Sequence, residues 1–351
     1  MGFKTDNLEV TENASGQAFG MVKRNSNGML DYSGKTYGKM YNPLSLSVGT
    51  DPFAIVYCPV NNSMYVVNRN GNSISVISCT TNEVIDTISL SVPGCMQYCP
   101  INNSMYVARE QPNSLRRIDC NTNTVEDEIL LTYKPYTLYY SVSNNSIYTL
   151  NISDYTIYEV SCASNTLTNT STTTIAHYMS RYSQDTNTIY LLNNAIITTY
   201  DCTAHTEGST PLTLTYPNST LIDITDTIIS PLTGDLLCFG YAILSGSTAQ
   251  YCTWVIDLAT MQQIQIVDST VQVYNSTYNS NTSFLTINGY GKFEGLTFRG
   301  HTTFNLHSLE FTNSIMLVET NAIKAHAHCP TNGYIYASNE TTDNVDIIVE
   351  L

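Results

Sequence analysis

The chain is poor in charge. Asp, Glu, Lys and Arg make up 12% of its 351 residues, and the acids outnumber the bases to leave a formal charge of −15. Clustered Lys and Arg are missing, so nucleic-acid phosphate is not expected as a partner of the body, nor is an anionic membrane surface. No apolar run approaches the roughly 18 residues a spanning helix needs, which argues against membrane insertion. The first residues, Met1-Gly2-Phe3-Lys4-Thr5-Asp6, lack the apolar stretch of a secretory signal, and Asp6 stands where a myristoylation site has Ser or Thr. Signal-dependent export is therefore not expected. No long 3.6-residue period stands out, so no helix longer than a turn is expected. Gly-x-Ser-x-Gly, a P-loop and a Gly-x-Gly-x-x-Gly leading into a helix are all absent.

What is present reads as β-sheet. Hydrophobic residues make up 42%, Tyr alone contributes 26, and there is one Trp. Tyr suits half-buried pleated positions. The organising stretch is Val48 to Leu90. An apolar strand ends in Cys58-Pro59, and turns follow at Asn61-Asn62, Asn70-Gly71-Asn72 and Thr80-Thr81-Asn82, separating three more short strands. This is an antiparallel meander. Its central phrase recurs: Cys99-Pro100-Ile101-Asn102-Asn103-Ser104-Met105-Tyr106-Val107 repeats Cys58-Pro59-Val60-Asn61-Asn62-Ser63-Met64-Tyr65-Val66 at an offset of 41 residues. Four strands at that period predict a propeller.

The repeat unit reads Gly49-Thr50-Asp51-Pro52, Tyr65-Val66-Val67-Asn68, Asn72-Ser73-Ile74-Ser75-Val76-Ile77 and Thr81-Asn82-Glu83-Val84-Ile85-Asp86-Thr87-Ile88. It resembles the YVTN-type repeat propellers over about 120 residues and fades afterwards. The resemblance implies a fold more than a function, because propellers host many unrelated activities.

Inner strands are expected to begin near Pro52, Pro93, Pro135, His177, Ile222, Val271 and Ala322, which makes seven blades of four antiparallel strands. Pro43 to Gly49 reads as a fourth strand without its own first three, and residues 321–351 supply them. The expected fold is an all-β, seven-bladed β-propeller spanning 41–351, its ring closed by the N-terminal strand 43–49. Blades five and six are longer, with extended loops or hairpins expected at Tyr241 to Tyr251 and Gly289 to Thr303.

Residues 1–40 fall outside the repeat and form an extended N-terminal arm. They hold six of the 18 glycines and carry a net charge of +1 against −16 for the remainder. Such asymmetry suggests an extension with its own partner. The expected docking residues are Phe3, Leu8, Val10, Phe19, Met21, Val22, Lys23, Arg24 and Leu30.

Ten cysteines raise the question of disulfides. Cys79, Cys120, Cys162 and Cys202 end third strands, while Cys58, Cys99 and Cys329 precede first turns. Equivalent positions in neighbouring blades lie too far apart for a bridge, and Cys95 and Cys99 are about 13 Å apart along one strand. Small buried thiols in a reducing compartment are expected.

Candidate chemistry is sparse. His326 and His328 share one face of a strand and, with Cys329, are a weak start to a transition-metal site. Asp223, Asp226 and Asp235 fall short of a calcium loop, and Asp235 fits a hairpin turn better. Tyr139, Tyr140, Tyr148, Tyr155 and Tyr158 suit a sugar-stacking platform or, more readily, cross-strand packing. No catalytic residue and no cofactor is expected.

The expectation is a non-catalytic structural or binding propeller. A leaderless, low-charge, Thr/Asn/Ser/Tyr-rich β protein with a tether resembles bacteriophage virion components, made in the host cytoplasm. In that setting the arm docks on protein neighbours of tail or capsid, and the ring meets a host surface glycan or protein. The alternatives are a free-standing, cytoplasmic propeller that binds a glycan or small ligand at its mouth, and a lactonase-like or metal-dependent hydrolase.

Overall fold

A computed structural model describes the backbone of residues 4–5, 8–12, 18–23, 31–32, 35–36, 40–174, 176–245, 248–293, 296–317 and 323–350. It describes the side chains of 44–174, 176–245, 248–290, 301–311 and 323–348. Among the described residues there is no helix, so none that could cross a membrane.

Seven antiparallel sheets form a ring. Their inner strands are Pro52–Cys58, Pro93–Cys99, Thr137–Ser141, Met179–Ser183, Ser219–Ile229, Val271–Asn279 and Ile323–His328. The seven starts fall at or within a few residues of the predicted ones. The ring closes as expected: Met40–Ser47 is the fourth strand of the last blade, pairing Asn344–Glu350 from Ser47↔Asn344 to Met40↔Glu350. It begins three residues earlier than the sequence suggests, because pairing continues through Tyr41↔Val349 past a register shift.

Burial follows from the stacking of blades. The second strands Ser63–Asn68, Ser146–Leu150 and Ile335–Asn339 are buried at every position, since both of their faces meet a neighbouring blade. The fourth strand Glu83–Ser89 is exposed at all but one position. Core clusters therefore lie between blades: Cys58, Tyr65 and Val76 of blade one pack with Met96, Met105 and Ile118 of blade two. Each full burial of such an aliphatic side chain contributes about 1.5–3 kcal/mol.

The irregular blades are five and six, as expected. Their hairpins Leu236–Leu244/Ala249–Asp257 and Phe284–Phe293/Leu296–Asn305 run eight to ten pairs long. Blade four departs in another way. Its outer strand is split into Thr206–Glu207 and Leu212–Thr213, both on Ile196–Asp201, with Gly208 and Pro211 in the gap.

In the arm, Lys4–Thr5, Leu8–Glu12 and Ala18–Lys23 pair with one another as a three-stranded sheet, where the sequence suggests an extended segment. Leu8, Val10, Phe19, Met21, Val22 and Lys23 lie on these strands. Their side chains, and Phe3, Arg24 and Leu30 altogether, lie outside the described residues.

The repeated Cys-Pro-x-Asn-Asn-Ser-Met-Tyr phrase is a clasp between blades. Asn61 Nδ2 donates to Cys120 O of the next blade at 2.9 Å and to Tyr65 OH at 2.8 Å. Tyr65 OH donates to Asn123 Oδ1 at 2.6 Å. Asn102 repeats the reach to Cys162 O at 3.0 Å, and Tyr106 donates to Asn165. Asn332 donates to Cys79 O at 2.8 Å, and Tyr336 to Asn82 at 2.6 Å. At the joint of blades three and four, Asn144 and Tyr148 both donate to Cys202 O, at 2.7 and 2.8 Å. Four successive joints, from seven/one to three/four, are thus pinned by one motif.

Candidate functional site: the ring mouth

All inner strands start on one face of the ring, and each carries a bulge at the same place. Phe53 sits between Pro52↔Asn68 and Ala54↔Val67 without a partner of its own. Thr225, Tyr274 and Lys324 are skipped in the same way. In blade two, Gly94 and Cys95 together fill the step between Pro93↔Arg109 and Met96↔Val107. In blades three and four, Tyr136 N and Tyr178 N donate to the carbonyls of Leu150 and Leu192, the residues that also pair Thr137 and Met179. Two residues therefore oppose one in every blade. A bulge of this kind bends the strand and re-aims a side chain.

Four of the seven bulged positions are aromatic: Phe53, Tyr136, Tyr178 and Tyr274. The tyrosines are 47%, 65% and 38% exposed; Tyr136 and Tyr178 stand immediately before their inner strands and Tyr274 within its own. Cations flank them. The Arg69 guanidinium lies 5.0 Å from the Phe53 ring centre, and Lys134 Nζ lies 5.7 Å from that of Tyr136. Glu110 bridges these two cations at 2.7 and 2.8 Å, tying blades one, two and three on this face. Burial alone would raise the Glu110 carboxyl, but Lys134 and Arg69 together hold it below its ordinary value. Arg69, Asn70, Asn72 and Glu110 also line an open cleft of about 420 Å³. Lys324, the bulged residue of blade seven, is exposed and pairs with Glu340 at 3.0 Å.

Below the mouth a chain of polar contacts runs from one inner strand to the next. Tyr139 OH donates to Ser180 O at 2.7 Å, and Arg181 Nε donates to Thr227 O. Arg181 Nη2 meets Asp226 Oδ1 at 3.0 Å, and Ser276 Oγ donates to Asp226 Oδ2 at 2.5 Å. Asn275 Nδ2 reaches Lys324 O at 3.3 Å. Both Asp226 oxygens are therefore engaged. Burial pushes its carboxyl up from the ordinary value, with Arg181 and Ser276 opposing. The arrangement braces blades three to seven against one another.

The structure disperses the metal candidates. His326 is buried beside His301 of blade six, their ring centres 4.9 Å apart. His328 Nδ1 lies 3.4 Å from Ser280 Oγ, also of blade six. Cys329 faces the other way, towards Asn62 of blade one. Among the described residues no three His, Cys, Asp or Glu side chains gather as a metal site. Asp223 accepts from Tyr241 OH at 2.8 Å, and Asp235 sits in the turn closed by Ser230 N→Asp235 O, after Gly234 at φ 78°. Tyr140, Tyr148 and Tyr158 are buried, as the favoured packing reading has them, and are not offered as a stacking platform. Tyr139 belongs to the polar chain, and Tyr155 tilts against His177 at 5.8 Å.

The aromatic bulges went unremarked in the sequence, although their spacing is regular. Each lies five residues before the position that closes an inner strand: Cys58, Ser141, Ser183 and Asn279. Aligning blades on those closing residues brings them into one column.

No family model matches the sequence, and no curated protein matches it. Among solved structures, hydrazine synthase of Kuenenia stuttgartiensis is similar, with a TM-score of 0.68 over 87% of this chain and 97% of that one. The identity is 12%, so the likeness is one of fold.

Proposed function

We propose that the chain is a non-catalytic recognition propeller of the YVTN-repeat type. Its ring mouth stacks against a host surface glycan while the arm holds it in a larger assembly, a bacteriophage tail or capsid. The observation that carries the reading is the crown of bulged aromatics. A pyranose presents a face of C–H groups that lies flat on an aromatic ring, and Tyr combines that surface with a polar tip. Arg69, Lys134 and Lys324 around the crown are already paired with Glu110 and Glu340, so the stacking surface, not charge, carries the recognition. The virion setting is supported by the low charge, the Thr/Asn/Ser/Tyr-rich composition and the separate arm, whose net charge of +1 sets it apart from the acidic body.

A glycan array probed with the purified chain tests the mouth. Selective binding to a subset of glycans is expected, weakened about two- to tenfold in Tyr136→Ala and in Tyr178→Ala, since an aromatic–sugar stack resembles other stacked pairs worth about 0.5–1.5 kcal/mol beyond their area. No selective binding, or binding indifferent to both substitutions, would overturn the reading.

A further inference from the structure

Six of the ten cysteines meet in pairs, at three successive joints. Cys58 of blade one shares its core with Cys120 of blade two, Cys99 of blade two with Cys162 of blade three, and Cys329 of blade seven with Cys79 of blade one. Each pair lies within one interblade core cluster, and all six residues are 3% exposed or less. The αL asparagines fix the approach. Asn103 O accepts from Cys120 N at 3.0 Å while Cys58 Sγ lies 3.8 Å from Asn103 Oδ1. Asn62 does the same for Cys79 N, at 3.0 Å, and Cys329 Sγ, at 3.8 Å. All ten cysteines are free thiols.

Comparing like positions, as the sequence invites, misses this contact, because each pair joins the end of a first strand to the end of the next blade's third strand. The joint of blades three and four is a built-in control. Ser141 stands where Cys58 does, bonded to Asn187 Oδ1 at 2.7 Å, while Cys202 N donates to Asn187 O at 3.1 Å. There one partner is a hydroxyl and no bridge can form.

We infer that Cys58–Cys120, Cys99–Cys162 and Cys79–Cys329 are oxidation sites that close as three disulfides, stapling blades seven, one, two and three into one covalent arc. The oxidant is a small-molecule disulfide such as oxidised glutathione, which reaches these buried thiols when a blade joint opens locally. A protein thiolate attacks one of its sulfurs and one glutathione leaves as thiol. The second cysteine then attacks the mixed disulfide, the protein S–S bond forms, and the second glutathione leaves. Two protein thiols lose two hydrogens, and two glutathione thiols gain them. Either sulfur of a pair can make the first attack, and the product is the same. In a reducing cytoplasm the pairs stay open; outside the cell they close. That timing rests on the virion reading, whereas the pairing does not.

The test uses the full wild-type chain. It is incubated with oxidised glutathione, then denatured, alkylated and mapped by peptide mass spectrometry. The expected result is the loss of six hydrogens and the three named links, with Cys95, Cys202, Cys238 and Cys252 alkylated. The unfolding temperature should rise, and dithiothreitol should reverse both changes. Ser141→Cys should add a fourth link to Cys202. Ten alkylated thiols, links between other cysteines, or bridging with no rise in unfolding temperature would overturn the inference.

Discussion

At the scale of single residues, asparagine does most of the work that glycine does elsewhere. Among the described residues, ten of the eighteen non-glycine positions with positive φ are asparagines, including Asn62, Asn103, Asn145 and Asn187 in the first turns of four blades. Asn tolerates the left-handed region because its short amide can bond locally. These amides do more than tolerate it. Asn103, at φ 45°, accepts from Tyr98 OH at 3.0 Å and donates to Asn121 Oδ1 at 2.8 Å. Asn103→Ala is expected to destabilise the ring by about 2–3 kcal/mol, combining ~1–2 for the left-handed backbone with ~1 for the lost bonds. Asn103→Gly should recover only the backbone part. Urea titration of both variants separates the two contributions, and equal losses would show that conformation is irrelevant at this turn. The turns were legible because Asn-Asn and Asn-Gly between alternating apolar runs have few other uses. The partners were not: Tyr65 and Asn123 stand 58 residues apart and Arg181 and Asp226 stand 45 apart, and no local pattern links them.

At the scale of elements, the joints between blades are not equivalent. Four carry the Asn–Tyr clasp, whereas blades six and seven meet through two buried histidines. His301 is fully buried and His326 is 9% exposed, and no ring nitrogen of either has a partner among the described residues. Burial lowers His301 to about 3, and burial with the neighbouring ring holds His326 well below the ordinary value. The unfolded chain takes up these protons near 6.5, while the folded ring refuses them until far lower pH. The stability from keeping both neutral is present above about 6.5 and is lost as pH falls from there towards 3, at ~1.4 kcal/mol per pH unit for each histidine. His326→Ile, which copies the buried Ile55 of blade one, should therefore lose less stability than the native ring between pH 7 and 5. Parallel acid limbs in denaturant melts at the two pH values would rule the pair out as the source. The sequence pointed to His326 for its spacing to His328, but the relevant neighbour comes from another blade, which a strand-face argument cannot supply.

At the scale of the whole molecule, the ring depends on one strand taken from the far end of the chain. The repeat length and the orphan strand before Gly49 made that closure readable, since an incomplete unit at each end leaves a single way to pair all edges. Buried second strands follow, because an open arc would leave the last blade's Ile335–Asn339 and Asn344–Glu350 sheet with a bare edge and an uncovered face. Removing residues 1–39 should leave the closing strand Met40–Ser47 intact, so the unfolding midpoint stays within the scatter of surface changes, about 0.5 kcal/mol. Removing residues 1–47 should open the ring. It strips the partners of Asn344 to Glu350, breaks the Ser45 Oγ→Asp346 Oδ1 bond of 2.7 Å, and uncovers an edge that recruits other chains. Size-exclusion chromatography with light scattering distinguishes the cases. A monodisperse shorter chain beside an aggregating or unfolded 48–351 chain is the expected outcome, and two equally stable monomers would mean that the blades hold together without the closing strand. If the 40–351 chain stays a monomer where the full chain assembles, the arm is the connector and the ring is its cargo.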